Sequence, residues 1–145
     1  MIVKVKKLDE RAILPTYGSL QAAGADLYAL LQGESLAIGA GETILVGTGL
    51  ALEIPEGYVG LVYARSGLAS KKGLAPANKV GVIDSDYRGE LKVALYNQSS
   101  KTQTIAAGER IAQLVIAPYL AASFEEAAEL SDTSRGTGGF GSTGK

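Results

Sequence analysis

The chain has 145 residues, enough for one domain and short for two. Lys and Arg number 14 against 15 Asp and Glu, a balance that argues against a nucleic-acid module. The absence of cysteine and histidine excludes disulfides, thiol catalysis, zinc–thiolate sites and an imidazole base. No apolar run approaches a membrane span, and the lysine-rich start does not resemble a signal peptide, so we expect a soluble, cytoplasmic protein that does not bind membranes.

In chain order, short runs rich in Val, Ile, Leu and Tyr alternate with Gly and Pro. This pattern predicts an all-β sandwich or barrel with little helix. The predicted strands are Ile2–Lys6, Ala25–Leu30, Thr43–Val46, Gly49–Ile54, Tyr58–Ala64, Val80–Ile83, Leu91–Asn97 and Arg110–Ala117.

One short helix is predicted between these strands, capped by Ser66 and ended by Gly73. Residues 121–130 have some helical propensity but follow Pro118, so a loose connector fits them equally well. Residues 131–145 contain five Gly, three Thr and three Ser, and cannot bury enough surface to fold alone. We therefore expect a β domain over residues 1–130 and a flexible glycine-rich arm over residues 131–145.

The segment Gly81–Glu90 is the most informative part of the chain. A β-branched run ends at Asp84, a polar turn follows, and the next run alternates like a strand. This pattern predicts a β-hairpin with carboxylates and Tyr87 near its tip. A carboxylate held there can orient water or take its proton, although an ordinary Asp-rich turn has the same composition.

Polar residues also interrupt other structured stretches. Arg65 ends a predicted strand and Ser66 opens the helix, so they can form a phosphate cradle or be a plain cap beside a surface Arg. Gln113 lies on an apolar strand face and must pair with backbone or face a ligand or water. Asp26 lies in a small apolar strand, where it either pairs with an Arg or holds water on a metal ion.

The glycine-rich end carries a few groups suited to a nucleotide. Successive glycines in residues 136–144 let backbone N–H groups curl around an anion, and Arg135, Ser142 and Thr143 add donors. Phe140 offers a face for stacking on a base. No Gly-Lys-Ser/Thr follows a strand, so the segment is not a P-loop.

Five of these stretches occur in an order that resembles the trimeric dUTP pyrophosphatases, or dUTPases. The resemblance covers essentially the whole chain and includes the N-terminal Arg11–Pro15. One ordered set of five motifs is far more specific than any single one. The five motifs are Ala23–Leu27, Ala64–Leu68, Gly81–Gly89, Gly108–Leu114 and Arg135–Gly141.

The resemblance implies a jelly-roll-like fold (the dUTPase-like β-clip), a homotrimer with shared active sites, and Mg²⁺-dependent cleavage of dUTP to dUMP and pyrophosphate. This activity limits uracil incorporation into DNA and supplies dUMP for thymidylate synthesis. Asp84 would activate the water that attacks the α-phosphorus, and Tyr87 would leave no room for a ribose 2′-hydroxyl. The uracil edge would be read by Asn78, Gly81, Val82, Ile83 and Lys92.

The resemblance also assigns residues to the phosphates, the metal and the arm. Asp26 would hold the metal through water. The phosphates would be bound by Arg65, Ser66, Gly67 and Gln113. The arm would close over the site through Arg135, Phe140, Gly141, Ser142 and Thr143, with Phe140 stacked on the uracil. The family suggests that the arm covers the site of a neighbouring subunit.

Three other interpretations compete with this one. A dCTP deaminase would share fold and trimer, but Ile83–Tyr87 and the arm with Phe140 argue against it. A nucleotide-sensing module would bind dUTP without rapid turnover, which the full set of catalytic positions disfavours as a sole function. A purely structural jelly roll leaves Asp26 and Gln113 unexplained.

Overall fold

The structure is a computed structural model, and it describes residues 1–141. Within that range the chain forms twelve short strands and one helix, which confirms the predicted all-β, jelly-roll-like fold. The strands are β1 (Lys4–Lys7), β2 (Thr16–Tyr17), β3 (Ala25–Tyr28), β4 (Ser35–Ile38), β5 (Thr43–Gly47), β6 (Leu50–Glu53), β7 (Tyr58–Tyr63), β8 (Leu74–Pro76), β9 (Gly81–Ile83), β10 (Lys92–Asn97), β11 (Gln103–Ala106) and β12 (Arg110–Pro118), with helix α1 (Ser66–Lys72) between β7 and β8.

The strands pair antiparallel in four sheets. The largest has the order β2-β3-β12-β7-β9, and a second has the order β5-β10-β8. The two remaining sheets are the pairs β1-β6 and β11-β4. Most neighbours in space are distant in sequence, and the five-stranded sheet brings together parts of the first, third and fourth motifs in β3, β9 and β12.

One core joins the sheets. In β7 and β10 alternate residues are buried, which is the two-residue period of a half-buried strand. Branched aliphatic side chains fill this core almost completely, since the largest fully buried ones include Leu27, Ile38, Leu50, Leu74, Leu91, Leu95, Ile105 and Ile111. The core is the rigid base from which the polar residues at the strand ends project.

All eight predicted strands are present, with ends shifted by up to two residues. The prediction missed β2, β4, β8 and β11, which have four residues or fewer. Strand β8 also contains Pro76, which is tolerated because β8 is the edge of its sheet.

The predicted cap of the helix was wrong by one residue. Arg65 occupies the N-cap position in an extended conformation, and its side chain makes no capping hydrogen bond. Ser66 is instead the first helical residue. The predicted end is confirmed, because Gly73 adopts the left-handed conformation with φ of 66° that terminates helices. The helix has seven residues, and no helix within residues 1–141 is long and apolar enough to cross a membrane.

The predicted β-hairpin over Gly81–Tyr96 was also wrong. Strand β9 pairs with β7, while β10 pairs with β5 and β8. The connection between them is eight residues long, and at its end Leu91 donates its N–H to the carbonyl oxygen of Leu50 at 2.7 Å. Leu91 thus bonds to β6, and β10 then continues beside β5 and β8 instead of beside β9.

After β12 the described chain has no further strand or helix up to Gly141. Residues 121–130 therefore form a connector, the second of the two alternatives drawn from the sequence. Leu120, Phe124 and Leu130 are each at least 88% exposed. This segment leaves the β domain without packing on it.

Candidate functional site

Asp26 joins two arginines at one end of the five-stranded sheet. Nε of Arg65 donates to Oδ1 at 2.7 Å, and Nη1 of Arg110 donates to Oδ2 at 3.0 Å. The Asp26 side chain is only 12% exposed, so both bonds are shielded from water. The strand register brings these residues together. Asp26 on β3 lies opposite Gln113 on β12, and β12 also pairs with β7, which leads to Arg65. The carboxylate thus fixes two guanidinium groups at one edge.

Gln113 lies beside this cluster. Its Nε2 donates to the carbonyl oxygen of Ala64 at 2.9 Å, which is the backbone pairing weighed from the sequence. Its Oε1 lies over Gly24, where a Cβ would come within 2.8 Å of it. Gly24 therefore leaves the space that the amide occupies, and Gln113 holds the chain just before Arg65.

Helix α1 is attached to the same edge. Ser66 and Gly67 are exposed at its first turn, next to Arg65. At its other end Nζ of Lys72 bonds to Oε1 of Glu109 and to the carbonyl oxygen of Thr104. Burial alone would raise the pKa of Glu109, but hydrogen bonds from Lys72 and the Ala106 N–H, with the charges of Lys72 and Arg65, lower it overall. This ion pair fixes the helix against β11 and β12.

A second group of predicted site residues surrounds a slot between the separated strands β9 and β10. The slot has a volume of about 80 Å³. Strand β9 is the edge of its sheet, so its backbone edge away from β7 has no strand partner. The predicted residues that line it are Asn78, Gly81, Val82, Ile83 and Lys92.

Asp84 lies where the chain leaves β9, on the wall of a groove of about 850 Å³. The following turn closes on itself, because the Tyr87 N–H donates to the Asp84 carbonyl oxygen and Nη1 of Arg88 donates to that of Ser85. Asp84 and Tyr87 are exposed. A carboxylate on a turn with so many internal bonds is well placed to hold a water.

The group formed by Asp26, Arg65 and Gln113 lies far from Asp84 within one chain. Ile83 is opposite Gly60 in the antiparallel ladder, and β7 then runs away from Asp84 toward Arg65. Asp84 is level with Val59 in this ladder, and Arg65 lies six residues further along. Six residues of extended chain span about 20 Å at 3.3 Å per residue. One copy therefore brings Asp26, Arg65 and Gln113 together but leaves Asp84 at the opposite end.

The carboxylate chemistry of Asp26 limits how it can meet a metal ion. Both oxygens already accept from guanidinium groups, whose positive charges lie between the carboxylate and an approaching cation and disfavour direct coordination. Contact through water fits, since a carboxylate oxygen can accept more than one hydrogen bond. Within residues 1–141 no three acidic side chains come together as an all-protein metal site. Magnesium keeps several waters and binds substrate phosphates, which matches this arrangement.

The hydrogen bonds of the described arm residues, up to Gly141, are local to the arm. Arg135 accepts a hydrogen bond at its carbonyl oxygen from Gly138, and Phe140 is fully exposed with a left-handed φ of 51°. Gly141 also has a positive φ, of 89°. The predicted contacts of Ser142 and Thr143 lie outside the described residues.

The structure places in these groups two residues to which sequence reasoning assigned no role. Arg110 stands in the fourth motif, but only the β3–β12 register reveals it as a partner of Asp26. Gly89 closes the third motif, and a Cβ there would collide with the Tyr87 ring. Neither relationship has a local signal, because each depends on side chains meeting in space.

Comparison with known proteins decides the family. The dUTPase family model matches residues 10–144. The chain belongs to the dUTPase family. As a member it is a hydrolase, and the resemblance drawn from the five motifs is confirmed.

Relatives of this dUTPase-family chain match it from end to end. The deoxyuridine 5′-triphosphate nucleotidohydrolase of Nautilia profundicola is 52% identical over 145 residues, covering 100% of both chains. That of Hydrogenobaculum sp. is 51% identical over 144 residues, covering 99% of each.

Solved structures extend the match to three dimensions. The dUTPase of Staphylococcus bacteriophage 80alpha with dUPNHPP is 31% identical with a TM-score of 0.89, and the match covers 99% of each chain. A variant dUTPase from phage phi11 of S. aureus, which coordinates a structural Mg(II) ion, is 27% identical with a TM-score of 0.80. That match covers 91% of this chain and 100% of the phage chain.

Proposed function

We propose that this chain hydrolyses dUTP to dUMP and pyrophosphate by attack of water on the α-phosphorus. Family membership and the presence of every predicted motif residue support the reaction. The observation that carries the site assignment is the slot between β9 and β10, whose lining includes all five residues predicted to read uracil. Limiting uracil in DNA and supplying dUMP follow from this activity.

Uracil recognition would use backbone groups of the slot. A pyrimidine offers hydrogen-bond donors and acceptors along the edge of its ring. An unpaired strand edge likewise presents both N–H donors and C=O acceptors. Separated strands can therefore accept the base where a hairpin partner would otherwise bond. Tyr87 would lie against the deoxyribose and exclude a 2′-hydroxyl, and Asp84 would orient the attacking water and take its proton.

Phosphate binding would use the edge built around Arg65. Its guanidinium, the Ser66 hydroxyl and the Gly67 N–H point from one short stretch, with Gln113 beside them. Such donors stabilise charge that develops on phosphoryl oxygens. Bound to the triphosphate, Mg²⁺ would offset part of its negative charge, and Asp26 would hold it through water.

A homotrimer with shared sites would bring the two groups together. A separation of about 20 Å between the levels of Arg65 and Asp84 exceeds the span of the α-phosphate and its attacking water. A second copy must then supply Asp84 to the Arg65 edge of the first. The arm, residues 131–145, would close over this junction from a neighbouring copy, with Phe140 on the uracil and Arg135, Gly141, Ser142 and Thr143 near the phosphates.

The first test is pyrophosphate release from dUTP, dTTP, dCTP and UTP with Mg²⁺. We expect release from dUTP and little from the other three. Binding of dUTP without release would favour the sensing module, and ammonia release from dCTP would favour the deaminase. Activity on several nucleotides would contradict the assigned uracil slot.

The shared site has its own test. Arg65→Ala and Asp84→Asn are each expected to inactivate the enzyme. Mixed after partial denaturation, they should regain part of the activity, because some sites then combine Asp84 of one variant with Arg65 of the other. No recovery in trimers shown to be mixed by mass spectrometry would mean that each copy holds a full site.

The cytoplasmic location stays a prediction, which cell fractionation would test.

A further inference from the structure

The Tyr87 ring folds back onto its own turn. Its hydroxyl donates to the carbonyl oxygen of Glu90 at 3.1 Å, three residues ahead. The side chain remains 45% exposed, so one side of the ring faces outward while the other lies on the backbone. The hydrogen bond to the Glu90 carbonyl oxygen therefore helps to set the ring orientation.

Gly89 supplies the surface on which the ring lies. An ideal Cβ at position 89 would be 2.5 Å from Cζ and 2.8 Å from Cε2 of Tyr87, and closer still to the hydroxyl oxygen. Backbone conformation gives no reason for glycine here, because Gly89 is not among the positive-φ glycines. The missing side chain thus serves only to admit the ring.

Glu90 fixes the turn to the β domain. Its Oε1 accepts the Gly49 N–H at 3.0 Å, and Nζ of Lys92 lies 3.3 Å from Oε2. The next residue is held just as firmly, since the Leu91 carbonyl oxygen accepts both the N–H and the hydroxyl of Thr48. The carbonyl that receives the Tyr87 hydroxyl is consequently a fixed point.

We propose that Gly89 is a specificity-determining position that acts through Tyr87, by letting the ring lie flat where it blocks a ribose 2′-hydroxyl. The inference rests on the role of Tyr87 in the proposed function. A side chain at position 89 lifts the ring from its fixed carbonyl and opens the space that the hydroxyl needs. Gly89 is a positioning residue, because it meets the sugar only through Tyr87.

The test is the ratio of kcat/KM for dUTP to that for UTP in Gly89→Ala. We expect the ratio to fall by about tenfold or more, since small displacements of a positioning group have effects of this size. Gly33→Ala is the matched control, because Gly33 also lacks a positive φ and a Cβ there has no atom within 4 Å. Its ratio should equal that of the parent protein.

A double-mutant cycle separates this role from a general one. Tyr87→Ala should lower the ratio, and Gly89→Ala should then change it no further, because the ring it displaces is gone. A further fall in the Tyr87→Ala background would overturn the inference. So would an unchanged ratio in Gly89→Ala alone while Tyr87→Ala lowers it. An unchanged ratio in Tyr87→Ala would instead remove the proposed role of Tyr87 itself.

A second variant decides the question if Gly89→Ala does not fold. Tyr87→Phe keeps the ring and removes only its bond to Glu90. A lowered dUTP-to-UTP ratio in this variant, with an unchanged melting temperature, supports the fixed ring. An unchanged ratio overturns it.

Discussion

Asp26 holds Arg65, which lies 39 residues later in the chain, through a 2.7 Å hydrogen bond from Nε to Oδ1. Its second oxygen holds Arg110 at 3.0 Å. One carboxylate therefore balances two cations that would otherwise repel each other at the phosphate edge. Its structural role is visible in the single chain, whatever water it also holds.

Removing this charge should affect both stability and phosphate binding. Asp26→Asn keeps the shape but leaves two guanidinium groups facing a neutral amide, and we expect a loss of about 1.5–3 kcal/mol. Thermal unfolding measures this loss. Glu53→Gln is the matched control, because Glu53 pairs with Lys4 at 2.8 Å on an exposed surface and its loss should lower stability much less. Equal costs would contradict the special role of Asp26.

Asp84→Asn should separate binding from turnover. The amide can still accept a hydrogen bond from water but cannot take its proton, so we expect kcat to fall by about 10²–10⁴-fold. Affinity for the non-hydrolysable analogue dUpNHpp, measured by calorimetry, should stay close to that of the parent protein. Asp86→Asn is the control, since Asp86 lines the same groove and should retain activity. Near-normal turnover in Asp84→Asn would refute its role as base.

Removal of residues 131–145 should abolish activity and spare the fold. Residues 131–137 and 139–141 are exposed, so their loss removes no core packing. We expect a melting temperature within about 2 °C of the parent protein, the range of surface changes. Pyrophosphate release should fall by about 10²-fold or more. A shorter truncation after Gly141 keeps Phe140 and tests Ser142 and Thr143 alone. Normal turnover after the longer truncation would exclude a closing arm.

The ion pair of Glu109 with Lys72 should make stability depend on pH in the acid range. The pKa of Glu109 in the folded protein lies below its ordinary value of 4.5, so its contribution is complete above pH 4.5 and disappears as pH falls through the folded-state value. Glu109→Gln should therefore cost about 1 kcal/mol at pH 7 and almost nothing at the acid limit. Melting temperatures across this range measure the difference. Glu34→Gln, which removes an exposed carboxylate, is the control variant.

The sequence anticipated the elements with strong local patterns. Strands such as β7 and β12 were found because Val, Ile and Leu recur there at strand spacing between clear turns. The end of α1 was found because Gly73 is a local signal. Ser66 was misplaced as the cap because Arg65 holds the extended N-cap conformation while its side chain bonds to Asp26.

The sequence by itself determined the family, the candidate residues and the all-β class, since motif order and strand periodicity are properties of the chain. Only the tertiary structure decided how these residues meet. Asp26 contacts Arg110 because β3 and β12 are neighbours, and the slot lies where Leu91 bonds to Leu50 and β10 pairs with β5 and β8 instead of β9. Both outcomes depend on hydrogen bonds between residues 41 or more positions apart. Such residues become neighbours only when the chain folds, so a local sequence pattern cannot predict their contacts.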